Sequence, residues 1–203
     1  APSSKSAVYK GPFSISNTCQ LKAIAYHPDQ AASEISVIYF EKVKASEIES
    51  PPLMIKDFLI SRSIHGYVGP EGKDEYPLEK ADMDWKKAHV DEKGIVWLSQ
   101  QLTPFAHCHA FAVTEIICDK ATDVTLLSGT NDGAFIWLNG DIILDNYKER
   151  PLYYNQFNLP VTLKKGKNTL ALLVNQAGGS WGFHVNIKTP ENLLHITLPD
   201  LGN

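Results

Sequence analysis

Residues 124–145 read Val-Thr-Leu-Leu-Ser-Gly-Thr-Asn-Asp-Gly-Ala-Phe-Ile-Trp-Leu-Asn-Gly-Asp-Ile-Ile-Leu-Asp. Short runs of β-branched and aromatic residues alternate here with dipeptides that favour tight turns, and the same pattern continues to residue 188. The turn dipeptides are Asp132-Gly133, Asn139-Gly140 and Lys165-Gly166. The pattern predicts strands over residues 125–129, 134–138, 141–145, 159–163, 168–175 and 182–188. Because these intervals leave no room for crossover helices, the sequence predicts an all-β, antiparallel sandwich.

The preceding segment fits the same architecture. Strands are expected over residues 58–62, 85–90 and 95–98, and a longer, buried strand over residues 106–118. A loop rich in glycine and proline is expected over residues 66–78, and one helical turn over residues 79–83.

Several of these segments resemble galactose-binding-like β-sandwich (jelly-roll) modules, which are attached to secreted bacterial carbohydrate-active enzymes. The resemblance runs from about residue 57 to residue 188 and rests on residues 128–133, 137–140, 163–170 and 181–183. It implies a jelly-roll fold for residues 57–203. Such modules include both sugar binders and spacers, so the resemblance determines the fold more firmly than the ligand.

The N-terminal part of the chain is predicted to form a separate, truncated small β-sandwich unit over residues 1–43. Tyr-Lys-Gly-Pro-Phe at residues 9–13, followed by Leu-Lys-Ala-Ile-Ala at residues 21–25, resembles the repeat at the C-terminal end of chitobiases and β-hexosaminidases. A strand and an Asp-Gly turn that usually precede this motif in that family are missing here. The resemblance therefore implies that the chain is a fragment, with a catalytic domain N-terminal to Ala1. Residues 44–56, which include Pro51 and Pro52, are expected to be a linker.

The composition argues against nucleic acid as a partner, against a membrane span and against disulfide bonds. The net charge of −4 argues against nucleic acid, and no apolar run approaches the roughly 18 residues of a membrane span. Three cysteines cannot all pair within one chain, and Cys108 and Cys118 lie far apart on one predicted strand. Disulfide stapling is therefore not expected.

Two short motifs could carry chemistry, but a structural interpretation is favoured for each. Residues 178–182, Gly-Gly-Ser-Trp-Gly, match the Gly-x-Ser-x-Gly nucleophile elbow of hydrolases. That elbow requires a helix after the serine, whereas a strand is expected here, so the motif is interpreted as a turn. His107 and His109 could begin a metal site on one strand face, but no third ligand is spaced to join them.

Oxygen ligands are the remaining candidate for a bound ion. Asn131, Asp132, Asp141 and Asp145 could offer oxygens to a structural calcium ion. Hairpin turns enrich these residue types for backbone reasons alone, so turns are favoured. No cofactor is expected, and a structural calcium is left open.

The predicted binding site lies where two loops meet. Because the strands alternate in direction, the loops over residues 147–158 and 176–182 should emerge at the same end of the sandwich. Aromatic rings there could stack on sugar faces while polar side chains bond the hydroxyl groups. The predicted carbohydrate-binding residues are Arg150, Tyr153, Tyr154, Asn175 and Trp181. The alternative is that Trp181 and one of the tyrosines close the core, as is favoured for Trp97 and Trp137.

Together these observations predict non-catalytic accessory modules of a secreted or periplasmic glycoside hydrolase, of which the larger module binds carbohydrate. The resemblance makes an α-L-fucosidase or a hexosaminidase a plausible host, and the catalytic domain of the same polypeptide a partner. The first alternative is a purely structural pair of modules that brace the catalytic domain or mediate assembly. A weaker alternative is a small serine hydrolase that uses Ser180.

Overall fold

The computed structural model describes residues 2–3, 5–15, 17, 19–28, 31–40, 51–79, 82–104, 106–189 and 194–201. The chain divides into two compact units, Ala1–Glu49 and Ser50–Asn203. In the first unit, strand β1 (Cys19–Ala23) pairs antiparallel with β2 (Ser36–Phe40). None of the described residues of this unit is buried.

The second unit is built from two antiparallel sheets. In its described residues the strands are β3 (Leu53–Met54), β4 (Leu59–Ile60), β5 (Ile64–His65), β6 (Lys86–Lys87), β7 (Val96–Trp97), β8 (Cys108–Cys118), β9 (Thr122–Asn131), β10 (Ala134–Leu138), β11 (Asp141–Asn146), β12 (Phe157–Leu163), β13 (Gly166–Gln176), β14 (Gly182–Lys188) and β15 (Leu194–Thr197). The large sheet has the order β11-β10-β13-β8-β4-β6, and β5 and β15 also pair with β8. The small sheet has the order β12-β9-β14-β3, and β7 also pairs with β14. This is the all-β, antiparallel sandwich that the sequence predicts.

The core lies between the two sheets and follows from period-2 alternation. Every second residue of β14, namely Phe183, Val185 and Ile187, packs against Leu172 and Val174 of β13 and their neighbours. The opposite face of the large sheet carries a second apolar cluster that includes Phe111, Phe135, Trp137 and Leu173. A layer from residues 64–79 and 82–85 covers this cluster, with Val68, Tyr76 and Trp85 packed against it. The large sheet is therefore apolar on both faces.

The structure corrects the predicted linker over residues 44–56. Residues 44–50 lie outside the described residues, but Leu53 and Met54 form β3 and pair with Ile187 and Asn186 of β14. Ile55 is buried in the core. The apolar run Leu-Met-Ile therefore outweighs the two prolines before it, and the sandwich begins before residue 57.

Other boundaries also differ from the expectations. The predicted strand over residues 85–90 shortens to Lys86–Lys87, and 3-10 helices occupy Pro70–Asp74, Pro77–Glu79 and Leu98–Gln100. The three cysteines are free, and Cys108 and Cys118 lie at opposite ends of β8. Among the described residues, no helix has the length and hydropathy needed to cross a membrane.

Candidate functional site

The two loops that the sequence analysis singles out meet at Asp132. Its Oδ1 accepts the backbone N–H of Arg150 at 3.2 Å, and its Oδ2 accepts the backbone N–H of Ala177 at 2.8 Å. Asp132 follows β9 directly, and its own N–H bonds to the carbonyl of Asn175 at 2.9 Å. One buried carboxylate thus joins loop 147–156 to loop 177–181 at a single end of the sandwich.

Close backbone packing fixes the same loop 147–156 at two further points. A Cβ on Gly133 would lie 2.3 Å from the backbone of Tyr147, and one on Gly129 would lie 2.2 Å from the carbonyl oxygen of Tyr153. Only glycine permits these approaches. The hydroxyl of Tyr67 also donates to the carbonyl of Tyr147. Burial, followed by the nearby charge of Asp132, raises the pKa of Tyr67 to about 12, so the hydroxyl stays a donor.

Two of the five predicted binding residues are buried, which corrects the prediction for them. Trp181 is 0% exposed, packs in the core and donates its Nε1–H to the carbonyl of Val174 at 3.3 Å. Asn175 is also fully buried, and its amide bonds to both the N–H and the carbonyl of Val68, each at 2.9 Å. The alternative is therefore correct for Trp181, which closes the core, but not for a tyrosine, because Tyr153 and Tyr154 are both exposed. Asn175 attaches the covering layer to the large sheet.

Arg150 is half-buried and engaged within its own loop. Its Nη2 donates to Oδ1 of Asn146 and its Nε donates to the carbonyl of Lys148 at 3.3 Å. The guanidinium carbon lies 5.0 Å from the centre of the Phe157 ring. Burial lowers the pKa of Arg150, and the charges of Tyr67 and Asp132 act in the opposite direction. These contacts make Arg150 a support for the loop.

The two tyrosines are the predicted residues that remain exposed, and Tyr154 is held rigidly. Its ring stacks on that of His184, with centroids 4.3 Å apart and an interplanar angle of 21°. Its hydroxyl accepts the Nδ2–H of Asn186 at 3.1 Å and donates to the carbonyl of Lys93 at 3.3 Å. Tyr154 is nevertheless 49% exposed, and the adjacent Tyr153 is 61% exposed. Tyr154 therefore presents a ring that is fixed on one side and open to solvent on the other.

A buried polar layer beneath the tyrosines explains this rigidity. His184 and Asn186 alternate with the core residues of β14, so they lie on the outer face of the small sheet. The loop covers both side chains: Asn155 donates its N–H to Nε2 of His184 at 3.0 Å, and Asn186 donates to Oδ1 of Asn155 at 3.0 Å. Burial lowers the pKa of His184 to about 4, against the opposing effect of the Tyr153 backbone. The imidazole is therefore neutral at pH 7 and accepts the loop N–H.

The residues considered for metal binding differ in their positions and contacts. His107 precedes β8 with a left-handed φ of 48°, so it does not share a strand face with His109 as predicted. Nδ1 of His109 lies 2.8 Å from the carbonyl of Gly66. Both carboxylate oxygens of Asp132 accept backbone N–H groups, whereas Asp141 and Asp145 are exposed on β11. Among the described residues, no group of three or more His, Cys, Asp or Glu side chains could hold a metal ion.

Ser180 lies in the turn between β13 and β14. A strand follows it, so the strand-to-helix context of a nucleophile elbow is not formed. The turn is held by the Nε2–H of Gln176, which donates to the carbonyl of Gly179 at 3.0 Å.

His184 and Asn186 are the site residues that sequence reasoning missed. The signal for their outward direction is present, because polar residues occupy the alternate positions of an apolar strand. Their burial depends on the loop over residues 153–155, whose path the pattern of β14 does not encode.

Comparison with known proteins gives one family match and several weak structural similarities. A family model described as "Fn3 associated" matches residues 1–40. No curated protein matches the chain in sequence. The chitobiase-type repeat expected for the first unit thus stays a prediction.

Among solved structures, the chain is similar to a β-glucosidase from Kluyveromyces marxianus, with 14% identity, a TM-score of 0.44, and coverage of 66% of this chain and 16% of that one. It is also similar to a PA14 domain of an antifreeze protein, with 11% identity, a TM-score of 0.38, and coverage of 72% and 74%. A family 35 carbohydrate binding module from an environmental isolate gives 16% identity, a TM-score of 0.36, and coverage of 72% and 93%. The chain spans well under two thirds of the length of the β-glucosidase.

Proposed function

We propose that the larger unit is a non-catalytic carbohydrate-binding module that contacts sugar through Tyr153 and Tyr154. The observation that carries this proposal is the ring of Tyr154, which is half exposed and yet fixed by His184, Asn186 and the carbonyl of Lys93. A sugar presents an apolar C–H face that stacks on an aromatic ring. A ring that is already ordered loses little conformational entropy when a ligand packs against it.

We refer to Tyr153 and Tyr154 as the tyrosine platform, and its position supports the same proposal. Tyr153 and Tyr154 follow each other on a loop that Asp132, Gly129 and the polar layer hold against the small sheet. Exposed aromatic side chains on a rigidly supported loop are typical of recognition surfaces. The wider assignment to an accessory module of an exported glycoside hydrolase, with an α-L-fucosidase or hexosaminidase host, rests on the sequence resemblance and belongs to this proposal.

The test is calorimetric titration of the whole chain with fucose, galactose and chito-oligosaccharides. Stacking contributes about 1 kcal/mol beyond area burial, so Tyr154→Ala is expected to weaken the best ligand about fivefold or more. Tyr154→Phe keeps the ring but loses the hydroxyl bonds to Asn186 and Lys93, and should weaken binding less.

Tyr26→Ala is the matched control, because Tyr26 is an exposed tyrosine of the first unit, at 54%. Its affinity should equal that of the unchanged protein. If Tyr153→Ala and Tyr154→Ala proteins remain folded and bind as tightly as Tyr26→Ala, the tyrosines do not form the site. If none of these sugars binds at millimolar concentration, the bracing alternative is favoured, in which the two rings pack against another domain.

A further inference from the structure

A cleft lies at the edge of the large sheet, and none of its lining residues belongs to the loop over residues 147–156. It has a volume of about 240 Å³ and is open to solvent. Its lining residues are Arg62, Ser63, Asp84, Lys86, Gln101 and Thr103, with Leu102. We refer to it as the Arg62–Lys86 cleft. The volume is below the usual range for drug-sized ligands and is suited to a single sugar-sized ring.

The walls of the cleft are formed in advance by hydrogen bonds within the protein. Arg62 donates its backbone N–H to the carbonyl of Met83 at 3.0 Å, and the preceding Ser61 exchanges two bonds of 2.9 Å with Phe111 of β8. The side chain of Gln101, another lining residue, bonds to both the N–H and the carbonyl of His89, at 2.7 and 2.9 Å. Leu102 beside it is almost fully buried. The cleft therefore requires no folding on binding.

The charge of the lining is positive, in contrast to the net charge of −4 of the whole chain. Arg62 and Lys86 supply two cations, and Asp84 supplies one carboxylate. Asp84 approaches Nε of Arg62 at 3.7 Å, and its side chain is 78% exposed, so it compensates the guanidinium weakly. A local excess of positive charge on an acidic protein favours an anionic ligand.

Both cations keep donors that can reach a ligand. Nζ of Lys86 donates one hydrogen bond to the carbonyl of Gln101, at 2.5 Å, and an ammonium group has three hydrogens to donate. Nε of Arg62 faces Asp84 and the carbonyl of Asp82. Among the described residues the two terminal nitrogens have no hydrogen-bond partner, so they can meet a planar, bidentate acceptor. The carboxylate of Asp84 and the hydroxyl of Thr103 can bond hydroxyl groups, and Leu102 offers an apolar surface.

We propose that the Arg62–Lys86 cleft binds a small carboxylate-bearing, hydroxyl-rich ring, that is, an acidic monosaccharide unit. The carboxylate pairs with Arg62 and Lys86, and the ring hydroxyls bond Asp84 and Thr103. The lining of the cleft includes neither Tyr153 nor Tyr154, so this proposal does not depend on the tyrosines.

The test compares glucuronate with glucose, which differ only in that a carboxylate replaces a hydroxymethyl group. Titration of the whole chain at low ionic strength should show binding of glucuronate and at least tenfold weaker binding of glucose. Affinity for glucuronate should fall as salt is raised, because the interaction is between charges at a solvent-open site. Inorganic phosphate and sulfate serve as probes for an unspecific anion site.

Arg62→Gln and Lys86→Gln should each weaken glucuronate binding about tenfold. Lys87→Gln is the matched control, because Lys87 is the neighbouring residue of β6 and pairs with Asp57 at 3.1 Å instead of lining the cleft. Arg62→Lys keeps the charge but not the planar guanidinium, so its affinity for glucuronate should lie between those of Arg62→Gln and the unchanged protein. Tyr154→Ala should leave glucuronate binding unchanged, so this proposal and the tyrosine platform can fail independently.

Equal affinity for glucose, equal loss in Lys87→Gln, or no binding at millimolar glucuronate would each overturn the proposal. Tighter binding of phosphate or sulfate than of glucuronate would also overturn it in favour of a simple oxyanion site. Thermal unfolding of each variant, followed by circular dichroism, shows whether it is folded before it is titrated.

Discussion

At the scale of single residues, Asp132 is the side chain on which the loop end of the sandwich depends. It is buried, and each of its carboxylate oxygens accepts one backbone N–H, from Arg150 and from Ala177. The sequence predicts a tight turn at Asp132-Gly133, but β9 and β10 belong to different sheets, and Gly133 permits close contact with Tyr147 without a positive φ. That the carboxylate would join two loops 18 and 45 residues away is not encoded in the local pattern.

Asp132→Ala removes the acceptor from two partly buried N–H groups, those of Arg150 and Ala177. Hydrogen bonds to a charged acceptor contribute about 1.5 to 3 kcal/mol each, so we expect the free energy of unfolding to fall by about 3 kcal/mol. Urea denaturation measures this. Asp123→Ala is the control, because Asp123 accepts one exposed bond from Thr162, and it should cost less than about 1 kcal/mol. Equal effects of the two substitutions would refute the role assigned to Asp132.

The burial of Trp181 could have been predicted from the sequence, whereas the burial of Asn175 could not. Residues 181, 183, 185 and 187 alternate as Trp, Phe, Val and Ile, and all four are buried. Extending the strand period by one step backwards would have placed Trp181 in the core. Asn175 has no such signal, because its burial comes from the layer that contains Val68 and covers the large sheet.

At the scale of elements, the strands that adjoin tight turns match their predicted bounds, whereas the two-residue strands were predicted too long, as for β4 and β6, or were not predicted, as for β3 and β5. The predicted strand over residues 134–138 is observed as Ala134–Leu138, and that over residues 182–188 as Gly182–Lys188. Here local turn chemistry and alternation agree. In contrast β3, β4, β5 and β6 are two residues long, and each is defined by its pairing with a distant strand. Two residues carry no periodicity, so such elements depend on tertiary context.

Strand β14 also makes stability depend on pH. Its His184 has a pKa of about 4 in the folded protein, below the ordinary 6.5, because burial disfavours the charged ring. Between these values the unfolded chain binds more protons than the folded one, so protonation favours unfolding. The stabilisation is therefore complete above pH 6.5 and is lost as the pH falls towards 4. After allowance for solvent screening we expect a loss of about 2 kcal/mol.

Urea denaturation at pH 7 and pH 4.5 measures this loss. His184→Asn cannot titrate in this range, so its stability should change less between the two pH values than that of the unchanged protein. The difference between the two proteins isolates His184 from all other titrating groups. An identical pH dependence in both would contradict the assignment.

At the scale of the whole molecule, the chain is divided unequally between its two units. Both apolar clusters consist of residues from 55 onwards, in the unit Ser50–Asn203. In the unit Ala1–Glu49 every described residue is at least partly exposed, including Tyr9, Phe13, Ile38 and Tyr39, which are more than half exposed. The truncated small sandwich expected there stays a prediction, and the described residues show one strand pair, β1 with β2. A single two-stranded sheet is at best marginally stable in water.

We therefore expect the two units to behave differently when each is made alone. A protein of residues 50–203 should unfold cooperatively on heating, because it retains both apolar clusters and the pairing of both sheets. A peptide of residues 1–49 should show no cooperative transition, since the burial of apolar surface that offsets chain entropy is absent from its described residues. Differential scanning calorimetry distinguishes the two cases. If the 1–49 peptide shows a heat-absorption peak at every concentration, this unit folds by itself, and the prediction is wrong. A peak that appears only at high concentration would indicate that the peptides associate through the exposed apolar strand Ser36–Phe40.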